Sequence, residues 1–392
     1  MRASCGDTNS LRGDIETEFS SDIIVIFDQD SNGTYFGDIS GGGRLRKEGE
    51  GLVQLVGTNT YDGGTQVIAG TLSGTTDSLQ GGIGISGNAT LLFDQDSNGS
   101  FDGELAGSGN LAKAGEGVLT VTGQANSYDS FLGEVQVRNG TLVAEAAIGR
   151  GGFVVRSPGH LKGTADTLVG DIAANGTLTI TGNDDATYAG RLSGNGGGLF
   201  IKEGDGILRL TGVNSFAGRT DIREGALHGN TQSLTGSMIT MLEDTALIFS
   251  QSGNGSFSGQ ILGFGMLHKV GTGELHLTGS NNYTGGTVIH EGGLRGDTDS
   301  LHGNIDTGLS ASNNLSFDQD SNGTFAGSVS GDGRLIKDGT GEVYLAGTTS
   351  HTGGTHILGG TLSGTTDNLR DFIVVYDNGR LEFDQDSNGS FD

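Results

Sequence analysis

The chain has very little of several residue types: among its 392 residues there are one cysteine, one proline and no tryptophan. A single cysteine, Cys5, cannot form an internal disulfide, so stability must come from the core and the backbone hydrogen bonds. The scarcity of proline excludes a collagen triple helix. No apolar run reaches the length of a transmembrane helix, and the N-terminus lacks the apolar stretch of a signal peptide.

Glycine, in contrast, supplies 76 residues, and acidic residues outnumber basic ones 47 to 21. Valine, isoleucine, leucine and phenylalanine recur at fixed intervals between the glycines, which argues against disorder and indicates short strands joined by tight turns. No segment has the length or periodicity of a stable helix. The net charge of −26 repels phosphate backbones, so we expect no nucleic-acid partner. The sequence therefore predicts an all-β fold.

A long repeat organises the sequence. The segment Phe27-Asp28-Gln29-Asp30-Ser31-Asn32-Gly33 returns unchanged at Phe93, Phe317 and Phe383, and weaker copies begin at Ile180 and Phe249. Successive copies are about 66–69 residues apart, except that Ile180 follows Phe93 after about 87 residues. Each copy before the last is followed by a glycine-rich pattern whose lysine is Lys47, Lys113, Lys202, Lys269 or Lys337.

An alternating apolar pair follows each of these lysines. The pairs are Val53/Leu55, Leu119/Val121, Leu208/Leu210, Leu275/Leu277 and Val343/Leu345. The residues between the two members vary freely: Gln54, Thr120, Arg209, His276 and Tyr344. This alternation is typical of a strand with one buried and one solvent-facing side. An aromatic turn comes next, at Tyr61, Tyr128, Phe216 and Tyr283, with His351 in the fifth copy.

These intervals predict a β-solenoid. The long interval exceeds the shortest one by about 21 residues, and about 19 of these lie between Leu142 and Leu161, close to one extra coil. We therefore expect about 22 residues per coil, three coils in a unit of ordinary length, four in the long unit and roughly 16–18 coils in all. One continuous solenoid is predicted over residues 1–392. Its units are approximately 27–92, 93–179, 180–248, 249–316 and 317–382, with partial repeats at 8–26 and 383–392.

The repeat resembles a known family. The string Gly-x-Gly-x-Leu-x-Lys-x-Gly-x-Gly-x-Leu-x-Leu-x-Gly-x-Asn-x-Tyr-x-Gly-Gly-Thr, best seen from Gly263 or Gly265 through Thr287, is similar to the autotransporter-associated β-strand repeat of Gram-negative passenger domains. The resemblance implies a single right-handed parallel β-helix, located at the cell surface or secreted. It also implies a C-terminal outer-membrane barrel, which this sequence lacks. Since both ends cut through a repeat, we expect an internal piece, or a truncated open reading frame, of a longer array.

Three sequence motifs resemble binding or modification sites but also have simpler interpretations. Asp28-Gln29-Asp30-Ser31-Asn32-Gly33 matches the first half of a calcium loop, but the position of the bidentate glutamate holds Ile39, so a turn between strands is favoured. Two Arg-Gly-Asp tripeptides, 12–14 and 295–297, resemble an integrin signal, but they lie at different phases of the repeat and are interpreted as chance matches in a glycine-rich chain. Five Asn-Gly-Ser/Thr sequons are interpreted mainly as turns; they begin at Asn32, Asn98, Asn254, Asn322 and Asn388.

The repeated lysine has the alternation of an inward-facing residue, which conflicts with burying a charge. We therefore predict a corner there, with the ammonium group in water. The eight histidines, including His268, His276 and His290, show no spacing typical of a metal site, and no nucleophile elbow or phosphate-binding loop is present. We assign no catalytic, cofactor-binding or metal-binding residues and expect no cofactor.

The sequence thus predicts a non-catalytic scaffold of an autotransporter passenger, engaged in adhesion or aggregation. The expected partners are host-cell or bacterial surface receptors or glycans. One alternative is a polysaccharide-acting enzyme on a similar solenoid, and another is a spacer that presents a different domain. An enzyme would need acidic and basic residues clustered at positions outside the repeat, whereas the acids here belong to the repeat itself.

Overall fold

In the computed structural model, the residues described are 3–18, 20–123, 131–369, 372–386 and 388–390. These residues form 46 short strands and no helix. They divide into two compact units: the first contains the described residues of Met1–Thr181 and Gly190–Phe200, and the second those of Gly182–Ala189 and Ile201–Asp392. The aromatic-turn residue Tyr128 lies outside the described residues.

The first 24 strands are β1 Ala3–Gly6, β2 Ile15–Thr17, β3 Ile24–Asp28, β4 Gly33–Tyr35, β5 Ile39–Gly41, β6 Arg44–Glu48, β7 Leu52–Leu55, β8 Thr60–Tyr61, β9 Thr65–Val67, β10 Thr71–Gly74, β11 Ile83–Ile85, β12 Thr90–Asp94, β13 Gly99–Phe101, β14 Leu105–Gly107, β15 Asn110–Ala114, β16 Val118–Val121, β17 Val135–Val137, β18 Thr141–Ala144, β19 Phe153–Val155, β20 His160–Gly163, β21 Ile172–Ala174, β22 Thr177–Thr181, β23 Ala186–Tyr188 and β24 Leu192–Gly194.

The remaining strands are β25 Leu199–Glu203, β26 Ile207–Leu210, β27 Ser215–Phe216, β28 Arg219–Ile222, β29 Ala226–Gly229, β30 Met238–Met241, β31 Ala246–Ser250, β32 Gly255–Phe257, β33 Gln260–Gly263, β34 Met266–Val270, β35 Glu274–Leu277, β36 Asn282–Tyr283, β37 Thr287–Ile289, β38 Gly293–Gly296, β39 Ile305–Asp306, β40 Asn314–Asp318, β41 Gly323–Phe325, β42 Val329–Ser330, β43 Arg334–Asp338, β44 Glu342–Leu345, β45 Thr355–Gly364 and β46 Ile373–Phe383.

Each unit is a parallel β-solenoid. In the first unit, one sheet contains β1, β3, β6, β9, β11 and β14, a second contains β4, β7, β10, β12, β15, β17, β19, β21 and β24, and a third contains β13, β16, β18, β20 and β22. Consecutive strands of the chain therefore belong to different sheets, while hydrogen-bonded strands come from successive turns. The prediction of stacked parallel strands is confirmed, and the strands form about 18 turns.

The apolar side chains line the inside of each turn. Both members of the predicted alternating pairs are buried: Val53, Leu55, Leu119, Val121, Leu208, Leu210, Leu275, Leu277, Val343 and Leu345 are all at most 5% exposed. Side chains at the same position on successive turns form continuous columns, such as Val53 over Leu72 and Leu72 over Leu91. Stacking thus buries residues that a single turn could not cover, as expected for a repeat protein.

The length of the coil differs from the prediction. Partner residues on successive turns are most often about 20 residues apart, as Ile24 and Arg44 are. Three turns then take about 60 residues, so a repeat of about 66 residues spans about three and a third turns. The predicted division into three coils of about 22 residues is wrong, because it assumed a whole number of coils in each repeat.

The extra third of a turn places successive copies of the repeat on different sheets. In the first unit, Phe27 lies in the first sheet, Phe93 in the second and Ile180 in the third. In the second unit, Phe249 lies in the sheet of β31 and β34, Phe317 in the column of β40 and β43, and Phe383 beside Gly364 at the end of β45. Within each unit, three successive copies therefore face three directions.

The predicted extra coil is confirmed. Leu142 pairs with Leu161, about 19 residues further along the chain, so the residues between them complete one turn in the second and third sheets. On either side of this turn the same sheet positions continue, with Leu119 paired to Leu142 and Leu161 paired to Leu178. Insertion by a whole turn leaves every flanking side chain on its original side.

Buried asparagines connect three successive turns. The side-chain oxygen of Asn281 accepts the backbone N–H of Ile261 at 2.8 Å, and its amide nitrogen donates to the carbonyl of Ser300 at 2.7 Å. Asn59 makes the same two contacts, with Ile39 and Ser78. Each asparagine thus satisfies one backbone group on the turn before it and one on the turn after it.

Replacing Asn281 with alanine should therefore lower the free energy of unfolding by about 2–3 kcal/mol, because it leaves two buried backbone groups without a partner. The matched control is Asn282→Ala, since Asn282 is exposed in the same corner and its loss should change stability by less than about 0.5 kcal/mol. Urea denaturation followed by circular dichroism measures both effects. Equal effects of the two substitutions would contradict the bridging role of Asn281.

Candidate functional site

The repeated Phe-Asp-Gln-Asp-Ser-Asn-Gly segment forms a corner that is tied to the turns on both sides. In the first copy, the side-chain oxygen of Gln29 accepts the N–H of Thr8 on the preceding turn at 2.8 Å. The side-chain oxygens of Asp30 and Asn32 accept N–H groups of Glu50 and Leu52 on the following turn, both at 3.0 Å. The polar side chains of the motif therefore replace the hydrogen bonds between neighbouring strands where the chain bends.

The copies that begin at Phe93 and Phe317 repeat all three contacts. In the copy that begins at Phe317, Gln319, Asp320 and Asn322 accept the N–H groups of Thr298, Thr340 and Glu342 at 2.8, 3.1 and 3.1 Å. Glycine at the last position of the motif avoids a close contact, since a Cβ at Gly33 would lie 2.0 Å from the Thr8 hydroxyl. The corner geometry thus explains why these residues recur.

This geometry bears on the candidate calcium loop and on the sequons. The Oδ1 atoms of Asp30 and Asn32 are occupied by backbone N–H donors, so the motif is accounted for as a corner without a bound ion. In the part of the chain that the structure describes, no group of three or more His, Cys, Asp or Glu side chains is arranged to hold a metal ion. That these corners bind no calcium and carry no glycan remains a prediction.

The repeated lysine is not where the sequence placed it. Lys47, Lys113, Lys269 and Lys337 are fully buried, and Lys202 is 2% exposed, so the prediction of an ammonium group in water is wrong. Each stem lies in the core column; Lys269, for example, stacks between Phe249 and Ile289. The side chain continues inward, and its charge is compensated within the protein.

Backbone carbonyls supply that compensation. The Lys269 ammonium donates to the carbonyls of Val270, Gly271 and Glu291 at 3.1, 2.6 and 3.0 Å, so each of its three N–H groups has an acceptor. Gly271 has a φ of 80°, which favours glycine and allows the chain to turn its carbonyl back toward the lysine. We call this arrangement the lysine cage. Lys47, Lys202 and Lys337 form equivalent cages. Lys113 also donates to three carbonyls, but the third belongs to Gln95 on the preceding turn.

Burial lowers the pKa of all five lysines, and nearby carboxylates act in the opposite direction. For Lys269 the pKa falls to about 8, against 10.5 in an unperturbed lysine, so the group is mainly charged at neutral pH. Because the unfolded chain keeps this proton to a higher pH than the folded chain, raising the pH from about 8 to 10.5 favours folding at this residue.

The stability advantage of the natural chain over a Lys269→Met variant should therefore increase between pH 8 and pH 10. The comparison within one pair of proteins cancels the titration of all other groups. Urea denaturation of both proteins at pH 7, 8, 9 and 10 measures the difference. If the advantage instead decreased with pH, the carbonyls would be stabilising the charged form more than burial opposes it.

The two Arg-Gly-Asp tripeptides occupy different environments. Residues 12–14 are exposed, and Asp14 accepts the N–H of Asp38 at 2.9 Å. In residues 295–297 the glycine is buried at the end of strand β38, and Arg295 pairs with Asp318 at 2.7 Å. Only the first tripeptide is thus presented as an exposed turn, and the interpretation of both as chance matches remains a prediction.

Stacking brings together residues that are far apart in sequence. Nδ1 of His268 lies 2.9 Å from Nε2 of His290 on the next turn, and burial and the neighbouring ring lower the pKa of His268. Arg209 and His228 also lie side by side on successive turns. Sequence reasoning missed both pairs, because their separations along the chain reflect the coil rather than a local motif.

The outward positions carry the differences between copies. Gln54, Thr120, Arg209, His276 and Tyr344 are all half-buried on the outer side of their strands, as predicted. Their neighbours on the next turn also vary: Ser73, Val143, His228, Arg295 and Ser363. The scaffold thus repeats inside, while the surface changes from copy to copy.

Comparisons with known proteins agree with this arrangement. The model of the passenger-associated-transport-repeat family matches residues 45–73, 111–144, 200–228, 267–295 and 335–363. Each match begins two residues before one of the five buried lysines. It ends on the next turn, at or just after the residue that pairs with the variable outward residue. No helix in the described part of the chain could span a membrane, and no solved structure matches the chain.

A curated relative supports the same assignment. The chain is 30% identical over 389 aligned residues to a protein named adhesin BmaC autotransporter from Brucella suis. The alignment covers 83% of this chain and 10% of the relative, so the chain spans about a tenth of that protein's length. The five repeat matches, the stacked fold and this similarity lead to one assignment: the chain belongs to the autotransporter passenger domains built from passenger-associated-transport repeats.

Proposed function

We propose that this chain is a non-catalytic scaffold at the cell surface, or released from it, whose outward side chains mediate adhesion. The observation that carries the proposal is the contrast between inside and outside. Five repeats keep the same buried columns and buried lysines, whereas the outward pairs differ in charge, size and aromatic character. A surface that varies on a fixed scaffold suits recognition better than a uniform spacer does.

The rotation of the repeat adds to this argument. Within each unit, three successive copies present their outward residues in three directions. The scaffold can therefore contact a partner surface in more than one orientation. The similarity to a protein named as an adhesin points the same way.

An enzymatic role has less support. The carboxylates of the repeated corner, such as Asp30 and Asp320, accept backbone N–H groups from the next turn and hold the turns in register. A polysaccharide-acting enzyme needs an acid and a base that are free to reach a glycosidic bond. Cleavage of glycans by the purified chain would overturn this part of the proposal.

Adhesion is tested by measuring how the fluorescently labelled chain binds to epithelial cells and to the Gram-negative bacteria that produce the protein. The matched control variant carries Gln54→Ser, Arg209→Ser and Tyr344→Ser, which change outward side chains and leave the buried columns intact. We expect saturable binding by the natural chain and at least about tenfold weaker binding by the variant. Equal binding of both chains would contradict adhesion through the outward pairs, and no binding to either cell type would favour a spacer.

A further inference from the structure

A concavity in the second unit is lined by several polar side chains. It has a volume of about 260 Å³ and lies where strands β26 and β29 end. Its walls are formed by Arg209, Thr211, His228, Asn230 and Ser250, with Gly229 and Leu210 completing it. The volume is close to the lower end of small-molecule clefts, which begin at about 300 Å³.

The arginine in this concavity has donors to spare. One guanidinium nitrogen of Arg209 contacts Nδ1 of His228; since arginine always donates, this ring nitrogen accepts and the imidazole is neutral. Burial, and then the charge of Arg209, lower the pKa of His228, in agreement with a neutral ring. The other terminal nitrogen forms a partly exposed ion pair with Asp185 at 3.7 Å, which is beyond hydrogen-bond distance and leaves its N–H groups available to a ligand.

Two hydroxyl groups complete the donor and acceptor set. Within the part of the chain that the structure describes, the side chains of Thr211 and Ser250 make no hydrogen bond to the protein. Both line the same concavity as the guanidinium group. A ligand placed there would meet one cation, a neutral imidazole, two hydroxyls and the amide nitrogen of Asn230, whose side-chain oxygen already accepts the N–H groups of Gln232 and Ser233.

These groups favour a carboxylate over a polyanion. A guanidinium fork suits a carboxylate, which it can bind through two parallel hydrogen bonds. The net charge of −26 disfavours a polyanion, because every further negative charge is repelled by the protein as a whole. The concavity is much larger than a bare carboxylate, and its hydroxyl and amide groups match the hydroxyls of a sugar.

The same position in other copies lacks this chemistry. The corresponding outward pairs are Gln54 with Ser73, Thr120 with Val143, and Tyr344 with Ser363, none of which contains a cation. The fourth copy has His276 beside Arg295. There, however, both Nε and Nη2 of Arg295 are bound to Asp318, at 3.1 and 2.7 Å.

We propose that the concavity around Arg209 and His228 binds a singly charged acidic sugar, held by its carboxylate at Arg209 and by its hydroxyls at Thr211, Asn230 and Ser250. The inference rests on the proposed adhesive function and names the chemistry of one partner. The sugar can belong to a host glycan, as a sialic acid, or to a bacterial polysaccharide, as a uronic acid. The two sources share the carboxylate that the site recognises.

The experiment is a titration of the full chain with methyl glycosides of N-acetylneuraminic acid and of glucuronic acid, followed by calorimetry and ligand-observed NMR. The methyl ester of each sugar serves as the neutral control. We expect millimolar binding of at least one acid and at least about tenfold weaker binding of its ester. Arg209→Ala should weaken binding by the same factor, whereas Arg295→Ala, the matched arginine already held by Asp318, should leave it unchanged.

A second variant keeps the test independent of any effect on folding. Thr211→Val with Ser250→Ala removes the two hydroxyls and leaves Arg209 in place; we expect about threefold or greater loss of affinity. Equal binding of acid and ester, an unchanged affinity of Arg209→Ala, or no binding of either acid would overturn the sugar site. If cells still bind the Arg209→Ala chain as well as the natural one, the sugar site fails while adhesion stands.

Discussion

Replacement of Lys269 with methionine is expected to lower the free energy of unfolding by about 3 kcal/mol or more at pH 7. Methionine keeps most of the buried stem between Phe249 and Ile289 but has no donor for the three carbonyls of the lysine cage. Each buried carbonyl without a partner costs about 1–3 kcal/mol. Relief of the buried charge offsets part of this loss, so the expected value lies at the low end of the sum.

The matched control is Lys162→Met, which changes the one lysine outside the repeated position. Lys162 is partly exposed on strand β20, so we expect a change of no more than about 1 kcal/mol. Urea denaturation monitored by circular dichroism gives both values. A loss below about 1 kcal/mol for Lys269→Met would mean that the carbonyls of the cage are satisfied in some other way.

Deletion of residues 143–161 should leave the first unit folded. Leu142 and Leu161 occupy equivalent positions on successive turns, so the deletion removes one whole turn and joins Leu142 to Lys162 in register. We expect the far-ultraviolet circular dichroism per residue to be unchanged and stability to fall by no more than about 2 kcal/mol, since each turn contacts only its neighbours. The measurement is thermal and urea denaturation of the shortened chain.

Deletion of residues 143–152, about half a turn, is the control. It places Phe153 directly after Leu142, although Phe153 belongs beside Val135 in the second sheet and Leu142 beside Leu119 in the third. Several buried side chains then lose their partners, and we expect a loss of more than about 5 kcal/mol or no cooperative transition. Similar stability of the two shortened chains would contradict a solenoid whose register is set by whole turns.

The sequence predicts the fold well because its strongest signals are local. The alternation of Val53 with Leu55, with a free choice at Gln54, is the signature of a half-buried strand, and both apolar residues are buried. The spacing between Leu142 and Leu161 also identified the extra turn correctly. The first inference depends only on neighbouring residues in the sequence, and the second only on the insertion of a single coil.

The phase of the repeat could not be read in the same way. A repeat length of about 66 residues is compatible with three coils of about 22 or with three and a third coils of about 20, and the repeat length alone does not distinguish them. The structure does, since Lys47 pairs with Phe27, about 20 residues before it. The position of the lysine was in fact a signal for the coil length, because it follows Phe27, Phe93, Phe249 and Phe317 by one coil each time.

The lysine cage and the sugar site were missed for a different reason. The alternation correctly placed Lys269 inward, but the cost of burying its charge argued against that position. What compensates the charge is a set of backbone carbonyls, one of them from the next turn, and backbone groups leave no mark on side-chain patterns. Arg209 and His228 are likewise neighbours only after stacking.

Spin-label distances within the first unit test most directly whether a repeat of ordinary length advances by a third of a turn beyond three whole turns. With Cys5 replaced by serine, labels at Ser31 and Asn88, both exposed and separated by three turns along one corner, should lie about 14 Å apart. Labels at Ser31 and Ser97, equivalent residues of successive copies, should lie about 25 Å apart on different corners. The reverse order, with Ser31 and Ser97 at the short distance, would show three whole coils in each repeat and contradict this account.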